Sequence, residues 1–299
     1  MSWDFTRCTR QGRGASLPFV SGDGFRCIAD HVFDETTNNE LQPPLLAPAR
    51  RTIIVFIKGD LAAHWFQHWH GKIAPHVKEF GYLGIVHNSD ETIGASTVGR
   101  ALEDGRLRYL FAQNLDPAWV IDRLPVRPVP IGLENLRWGR QQPHLYQNCA
   151  SQAPWRERLQ SLLLSFNPNN DDRHAAVRAL ADSSFVHLSL KPHPTRPFIE
   201  NLARSKFVLS PRGNGLDCHR TWEAMACGCV PVLKRGSLHT DTFDVHDSVV
   251  WVDDWTKVEP QLLAARVEKG VVASTGHLMQ PYLARISELI AHNSRLKKE

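Results

Sequence analysis

One segment in the second half of the chain constrains the fold more than any other. Residues 206–209 and residues 230–233 are mainly apolar, as in buried strands. Between them lie a glycine-containing loop, residues 210–218, and a stretch of helical character, residues 219–227. A strand, a loop, a helix and a second strand in this order form a βαβ unit. Backbone N–H groups at the start of such a helix form a site where a phosphate can bind.

Further apolar runs predict strands that alternate with helices along the rest of the chain. The clearest is Thr52–Ile57, which is continuous and rich in β-branched residues, as is typical of a buried parallel strand. Other strands are predicted near residues 83–86, 107–114, 126–133, 162–166, 185–190 and 248–254, and helices over residues 25–32, 61–80, 155–159, 174–181, 262–268 and 277–295. This alternation predicts an α/β fold with parallel sheets and helices on both faces.

The length of 299 residues is enough for two domains. We expect residues 1–140 to form an N-terminal α/β domain whose first part, residues 1–20, is irregular. Residues 141–154 are polar and predict a linker, and residues 155–275 predict a second α/β domain. Residues 276–299 predict a helix that packs across both domains. In open α/β sheets the ligand lies at the carboxyl ends of the strands, so we expect the site in the cleft between the domains.

The loop and helix of the βαβ unit carry most of the residues that we expect to bind an anionic nucleotide. Arg212 can form a bidentate contact with a diphosphate, Asp217 can cap the helix, and Glu223 can accept hydrogen bonds from ribose hydroxyls. The full predicted set is Lys191, Ser210, Arg212, Gly213, Asn214, Gly215, Asp217, His219, Arg220 and Glu223. The alternative for the loop and helix is an ordinary β-turn followed by a surface Arg–Glu pair. The alternative for Lys191 is a solvated position in a loop.

Four residues of the first half are candidates for a catalytic base. His87 and Asp90 follow a predicted strand, where the active sites of open sheets collect. Asp60 follows Lys58 and Gly59 at the end of another strand, and Asp23 lies in a glycine-containing turn. A carboxylate or imidazole at such a position can accept a hydroxyl proton. The alternatives are helix capping and an Asx-turn.

The motifs that the chain lacks argue against metal and cofactor chemistry. There is no Asp-x-Asp triplet, no GxGxxG after the first strand and no GxxxxGK[ST] loop. His64 and His68 are four residues apart but belong to no HExxH motif. The Trp-rich run Trp65–His70 is expected in the core, with stacking on a sugar or base as the alternative. We therefore expect no metal and no cofactor, with the charge of a leaving diphosphate met by arginines and helix N–H groups. The six cysteines are expected to be buried, inert thiols.

Charge and hydropathy argue against two further classes of protein. Lys and Arg number 35 and Asp and Glu 31, and the net charge of +4 is too small to indicate nucleic-acid binding. No stretch approaches the length of a membrane span, and residues 1–7 lack the apolar core of a signal peptide. As written, the chain is expected to be cytoplasmic or otherwise soluble.

Residues 207–232 resemble the donor-side motif of exostosin-like glycosyltransferases (glycosyltransferase family 47-like), including the ribitol xylosyltransferase group. The motif has a strand, a glycine loop, Arg220 and Glu223 on a helix, and a Gly-Cys-Val-Pro-Val strand. Residues 111–114, 130–135 and 252–255 are also similar. The resemblance implies a GT-B-like architecture, in which two Rossmann-like domains with parallel sheets face a central cleft. The second domain then binds the nucleotide-sugar donor, and the acceptor approaches from the first.

The activity implied is metal-independent transfer of a hexosyl or pentosyl group from a nucleotide-sugar, such as a UDP-sugar, to a hydroxyl of a glycan or polysaccharide. Arg212 and Arg220 would neutralise the diphosphate, and Glu223 would hold ribose or sugar hydroxyls. Many relatives are anchored in the Golgi, so the Golgi lumen is the location expected if this chain is part of an anchored protein. Three alternatives remain: an inactive nucleotide- or glycan-binding module, a nucleic-acid-associated factor, and another GT-B-like enzyme such as a phosphorylase or epimerase.

Overall fold

The computed structural model describes residues 3–5, 13–37, 51–73, 77, 80–138, 142–150, 154–190, 195–238, 248–270 and 275–295. These residues form two five-stranded sheets in which every described strand pair is parallel. The predicted α/β class with two parallel sheets is therefore confirmed. No described helix has both the length and the apolar character that a membrane span needs.

The strands are β1 His31–Phe33, β2 Ile53–Lys58, β3 Tyr82–His87, β4 Leu107–Ala112, β5 Val126–Pro128, β6 Gln160–Leu164, β7 Val186–Leu188, β8 Ser205–Leu209, β9 Val230–Lys234 and β10 Val250–Val252. The helices are α1 Gly22–Cys27, α2 Ala62–His64, α3 Ala95–Glu103, α4 Pro143–Ala150, α5 Asp171–Leu180, α6 Thr195–Arg204, α7 His219–Ala226, α8 Pro260–Lys269 and α9 Met279–Arg295. A π-helical stretch, Trp65–Trp69, continues α2.

The strands of the first sheet lie in chain order, β1-β2-β3-β4-β5. Right-handed crossovers that always step in the same direction place their connections on one face of a sheet. The apolar cluster on that face joins Ile53, Val55 and Ile57 of β2 to residues of α2 and α3, and it includes the fully buried Trp65. The prediction that the run Trp65–His70 belongs to the core is confirmed for Trp65, whereas Phe66 and Trp69 are only partly buried against the same cluster.

The opposite face of the first sheet is covered by helices from the two ends of the described chain. Ile54 and Phe56 of β2 point to this face, where they pack with Phe25 of α1. The remaining cover comes from α9, whose buried side chains are Met279, Tyr282, Leu283, Ile286, Leu289 and Ile290. Because both faces are covered, β2 reads as an uninterrupted apolar run.

The second sheet has the order β10-β9-β8-β6-β7. One face packs against α5 and α8, and the other against α4, α6 and α7. The direction of winding reverses between β6 and β8, which makes the carboxyl ends of these two strands a topological switch point, where doubly wound sheets bind ligands. Two α/β halves with parallel sheets form the GT-B-like arrangement, although only the second sheet has a switch point.

Three local predictions differ from the structure. The helix predicted over residues 25–32 is α1, which ends at Cys27, and is followed by β1. The linker predicted over residues 141–154 contains α4, because Tyr146 and Cys149, three residues apart, are buried on one side of it. Cys27 is disulfide-bonded rather than a free thiol, whereas the four remaining described cysteines are free.

Candidate functional site

At the switch point of the second sheet, the loop that follows β8 packs against the start of α5. Asn170 caps α5, and its side-chain amide donates hydrogen bonds to the carbonyl oxygens of Arg212 at 3.3 Å and Gly213 at 3.1 Å. Arg173 donates from Nε to the Arg212 carbonyl at 3.0 Å and from its guanidinium to the Asn167 carbonyl at 3.0 Å. The loops that follow β6 and β8 are therefore fixed to each other by side chains of α5.

Two arginines, Arg173 and Arg220, share one aromatic ring at the switch point, and we call the surface that they form with the loop after β8 the positive crevice. The guanidinium carbons of Arg173 and Arg220 lie 5.8 Å and 5.4 Å from the ring centroid of Phe166. Both guanidinium groups also lie within hydrogen-bonding distance of the Cys218 sulfur, at 3.7 Å and 3.6 Å. Arg220 is half-buried, whereas the side chain of Arg212 is exposed. Cations held side by side in this way form a region of positive potential that suits an anion.

The other predicted donor residues differ in their surroundings. Ser210 is buried, and its hydroxyl forms a hydrogen bond of 2.9 Å with a threonine hydroxyl of α7. Glu223 is buried and accepts a hydrogen bond of 3.2 Å from the Tyr146 hydroxyl. Asn214 is exposed at the tip of the loop. Lys191 lies outside the described residues.

Asp217 joins the second half to the first. Its carboxylate accepts hydrogen bonds from the Ile131 N–H at 2.7 Å and the Trp222 indole N–H at 2.9 Å. Its own N–H donates to the side chain of Asn114 at 2.9 Å, and Asn114 lies so close to Gly215 that a Cβ there would be 2.6 Å away. Burial raises the pKa of Asp217 to about 6, although these donors oppose the shift. Asp217 is thus a docking residue between the halves rather than the predicted side-chain cap of α7, for which no capping hydrogen bond forms.

His219, the first residue of α7, also reaches the first half. Its Nδ1 lies 2.7 Å from the carbonyl oxygen of Gly132. Gly132 has φ +68°, and a Cβ there would be 2.2 Å from the Val20 carbonyl oxygen, so only glycine fits. The imidazole of His219 is therefore held against a fixed turn.

A polar cleft of about 280 Å³ opens at the carboxyl end of the first sheet. It is lined by Gly22, Lys58, Asp60, His87, Asn88, Ser89, Asp90, Gln113, Ile131, Asn135, Arg137, Trp138 and His219. Asn88 and Asn114, which follow β3 and β4, have φ of 60° and 52°. Left-handed backbone at a residue other than glycine is uncommon and clusters at functional sites.

The structure places three of the four base candidates, Asp60, His87 and Asp90, in the lining of this cleft, and the fourth, Asp23, is buried behind it. Asp60 and Asp90 line it and are exposed. The Lys58 ammonium lies 2.9 Å from the Asp60 carboxylate, which also accepts a short hydrogen bond from the Ser89 hydroxyl. Partial burial alone would raise the pKa of Asp60, but these two partners lower it. Asp60 is therefore a weak base.

His87 lines the cleft with both ring nitrogens in use. Nε2 donates to the Pro130 carbonyl oxygen at 3.0 Å, and Nδ1 accepts from the Asn88 backbone N–H at 2.8 Å. Burial lowers the pKa of His87 to about 4, so the ring is neutral at pH 7. With both nitrogens occupied by backbone groups, His87 holds the cleft together and has no lone pair left for a substrate proton.

Asp23 lies behind the cleft wall and is fully buried. It accepts a hydrogen bond of 3.2 Å from the Asn88 side chain, and Arg13 and Arg137 lie 3.7 Å and 3.9 Å from its carboxylate. Burial raises its pKa, although both arginines oppose that shift. Because Asp23 has no exposed surface, it can reach a substrate only if the wall moves.

Sequence reasoning missed several residues of the site, and three of them have a clear place in its chemistry. Arg173 was hidden within an ordinary polar helix, Asp171–Leu180, and only its position at the switch point gives it a role. Arg137 and Trp138 lie in a short 3₁₀-helix, and the Trp138 side chain is 60% exposed at the cleft. The sequence signal available for these two was a tryptophan directly after an arginine, whose exposure only the structure shows. Among the described residues, no three or more His, Cys, Asp or Glu side chains are grouped to hold a metal ion.

No protein-family model matches the sequence, and no curated protein matches it. The structure is similar to the catalytic domain of starch synthase IV from Arabidopsis thaliana, which was solved with ADP and acarbose bound. The sequences are 13% identical, the TM-score is 0.35, and the match covers 81% of this chain and 73% of the other. A likeness of this size carries no argument about chemistry, which must come from the residues of this chain.

Proposed function

We propose that this protein is an exostosin-like glycosyltransferase that moves a sugar from a nucleotide-sugar, such as a UDP-sugar, to a hydroxyl of a glycan or polysaccharide without a metal ion. The observation that carries the proposal is that α7 and the loop before it connect two sites, one in each half of the chain. The positive crevice at the switch point of the second sheet and the polar cleft at the carboxyl end of the first sheet are joined by the loop and helix that carry Asp217 and His219.

The crevice is suited to a departing diphosphate. Arg173 and Arg220 are already oriented by Phe166 and by the loop carbonyls, so little reorganisation is needed to meet new negative charge. The exposed Arg212 can swing onto the same group, and the first N–H groups of α7 add their partial positive charge. These groups take the role that a divalent cation plays elsewhere.

The cleft is suited to a sugar-like acceptor. Its lining consists mainly of charged and amide side chains, which donate to and accept from hydroxyl groups. At its mouth Trp138 offers a flat apolar ring, with the Arg137 guanidinium 4.9 Å from the ring centroid. A polar pocket with one exposed aromatic wall is complementary to a ring that carries both hydroxyls and an apolar face.

The donor half of the proposal is tested by measuring thermal unfolding with a panel of UDP-, GDP- and CDP-sugars. A ligand present at 100 times its dissociation constant stabilises the folded state by about 2.7 kcal/mol. Arg220→Ala removes a charged hydrogen-bond donor, and we expect it to weaken binding of the stabilising nucleotide about tenfold or more. Calorimetric titration with the free nucleoside diphosphate gives the affinity directly.

Arg178→Ala is the matched control, because Arg178 is exposed on α5 and lies one and a half turns from Arg173. It should bind the nucleotide as the wild type does. Equal affinity in Arg220→Ala and Arg178→Ala would remove the switch-point crevice from the donor site.

A second candidate function is a nucleotide- or glycan-binding module without catalysis. The occupied nitrogens of His87 and the ion-paired carboxylate of Asp60 favour it, because both candidates are engaged within the protein. Such a module would bind a nucleotide-sugar without releasing free nucleotide in the presence of any acceptor. Steady release of nucleoside diphosphate with a glycoside acceptor would exclude it.

A further inference from the structure

We propose that His219 is the general base that removes the proton from the acceptor hydroxyl. The inference rests on the proposed glycosyl transfer and assigns its proton acceptor to the second half of the chain. The sequence placed His219 among the donor-binding residues, but the structure places its ring at the cleft of the first half.

The contact with Gly132 fixes which nitrogen of His219 is free. A carbonyl oxygen only accepts hydrogen bonds, so Nδ1, which lies 2.7 Å from it, carries the proton. Nε2 of the neutral ring then has a lone pair, and no described residue donates a hydrogen bond to it. The turn at Gly132 is held by a β-bridge to Ser21 and by a hydrogen bond of 2.8 Å from the Leu133 N–H to the Val20 carbonyl oxygen, so the Gly132 carbonyl also fixes the orientation of the ring. A base whose second nitrogen is held by a fixed acceptor is the arrangement found at activated histidines.

The other titratable groups at the cleft are less suited to the task. His87 has no free nitrogen, Asp60 is ion-paired with Lys58, and Asp23 has no exposed surface. Asp90 lines the cleft but is exposed to solvent, with no described partner to orient it. His219 is therefore the one described group at the cleft that combines a free lone pair with a fixed orientation.

The position of His219 on α7 explains how a base of the second half can serve an acceptor in the first. Arg220, the next residue, belongs to the positive crevice, so the base and the diphosphate site are adjacent. The acceptor hydroxyl gives its proton to Nε2, and its oxygen forms a bond to the anomeric carbon. The bond from that carbon to the diphosphate oxygen breaks, and the diphosphate leaves with the electron pair towards the arginines.

The test compares His219→Asn with the wild type. The Asn side-chain amide lies where Nδ1 does and can still donate to Gly132, but it cannot accept a proton. With the UDP-sugar that gives the largest thermal shift and a panel of methyl glycosides as acceptors, we expect kcat to fall about 10²- to 10⁴-fold. The affinity for UDP alone should stay within about threefold. His292→Asn, at an exposed position of α9, is the matched control and should leave both values unchanged.

The pH profile gives a second readout. The charged and titratable groups that face His219 are Lys58, Asp60, Asp90 and Arg137 around the cleft, with His87 and Asp217 beside it. The acid limb of the wild-type kcat profile should be absent from the residual activity of His219→Asn. If that variant is unstable, His219→Ala with added imidazole replaces it, and restored turnover supports the base.

Two results would overturn the inference while leaving the proposed function intact. One is wild-type kcat in His219→Asn. The other is a tenfold or greater loss of UDP affinity with unchanged kcat, which would make His219 a donor-binding residue only. A wild-type protein that binds none of UDP, GDP and CDP, and releases none of them from the corresponding nucleotide-sugars, would overturn both proposals.

Discussion

At the scale of single residues, the burial of His87 has a measurable effect on stability. Folding lowers its pKa from 6.5 to about 4, since burial disfavours the imidazolium ion. Between these values the unfolded chain holds a proton that the folded chain does not, so the folded state loses stability as the pH falls from 6.5 towards 4. The loss attributable to His87 is about 3 kcal/mol by pH 4.

His87→Gln isolates this contribution. The Gln amide can still donate to the Pro130 carbonyl but does not titrate. The variant should be less stable than the wild type at pH 7, because it loses the ring contact with Phe25, whose centroid lies 5.5 Å away. That deficit should shrink by about 3 kcal/mol at pH 4, as measured by urea unfolding. Asp217, whose raised pKa acts in the opposite direction, is present in both proteins and cancels. A deficit that does not change with pH would contradict the prediction.

The sequence predicted single site residues only where their position followed from a strand end. Asp60, His87 and Asp90 reached the predicted cleft because they lie at or just after the carboxyl ends of β2 and β3, at one edge of a parallel sheet. Whether each side chain is free, ion-paired or fully hydrogen-bonded depends on partners that are distant in the sequence. The Pro130 carbonyl, for example, is 43 residues from His87. No local pattern encodes such a partner, so roles could not be assigned from the sequence.

At the scale of elements, the turn at Gly132 links backbone geometry to the site. Gly132→Ala would place a Cβ 2.2 Å from the Val20 carbonyl oxygen at φ +68°. The backbone of one of the two segments must then move, and the Gly132 carbonyl moves away from His219. We expect a loss of about 2 kcal/mol or more of unfolding free energy, together with reduced turnover.

Gly236→Ala is the matched control for this substitution. Gly236 also has positive φ, at +81°, but no described atom lies within 4 Å of the position that a Cβ would take there. Its cost should be about 1 kcal/mol, from backbone strain alone, with turnover unchanged. Chemical unfolding of both variants separates the effect of the clash from that of the backbone strain. Equal losses of unfolding free energy in the two variants would mean that the close approach of Val20 to Gly132 does not exclude a side chain.

Long apolar elements were predictable, whereas short amphipathic ones were not. β2 and β3 are evident from the sequence because both of their faces are buried. α3 and α6 were not predicted, and α4 was taken for a linker, because each presents only a few apolar residues to a sheet. In α6 the buried face is confined to Ile199, Leu202 and Ala203, between polar residues and next to prolines. Tertiary burial, rather than local propensity, selects helix there.

At the scale of the whole molecule, α9 completes the first half. Six of its apolar side chains are buried against the first sheet, and each contributes about 1.5–3 kcal/mol. Their sum is comparable to the net stability of a typical domain, about 5–15 kcal/mol. Deletion of residues 275–299 should therefore abolish cooperative folding of the first half, as seen by loss of hydrogen-exchange protection in β2, β3 and β4.

Point substitutions on α9 give a graded version of the same test. Ile286 is fully buried, and Ile286→Ala should cost about 2–5 kcal/mol. Glu288 is exposed on the same helix, and Glu288→Ala should cost less than about 0.5 kcal/mol. Similar costs for the two would show that α9 is not part of the core of the first half.

The division into two parallel α/β halves could be predicted from alternating strands and helices, but the strand order could not. The order decides which face of the first sheet is left open and which strands of the second sheet flank the switch point. It depends on pairings between strands such as β6 and β8, which are separated by a complete β-α unit. The hydrophobic pattern of a strand or helix shows which of its faces is buried, but it does not show which strand lies next to it.

The one-sided winding of the first sheet has a consequence during biosynthesis. Domains generally fold from the N-terminus as they leave the ribosome. Here α1 supplies part of the cover of Ile54, Phe56 and Leu83, but α9, which completes that cover, is translated after the entire second half. Until α9 has been translated, the nascent chain therefore exposes part of the apolar face of the first sheet. Its production in cells should depend on chaperones that shield such apolar surfaces until α9 emerges.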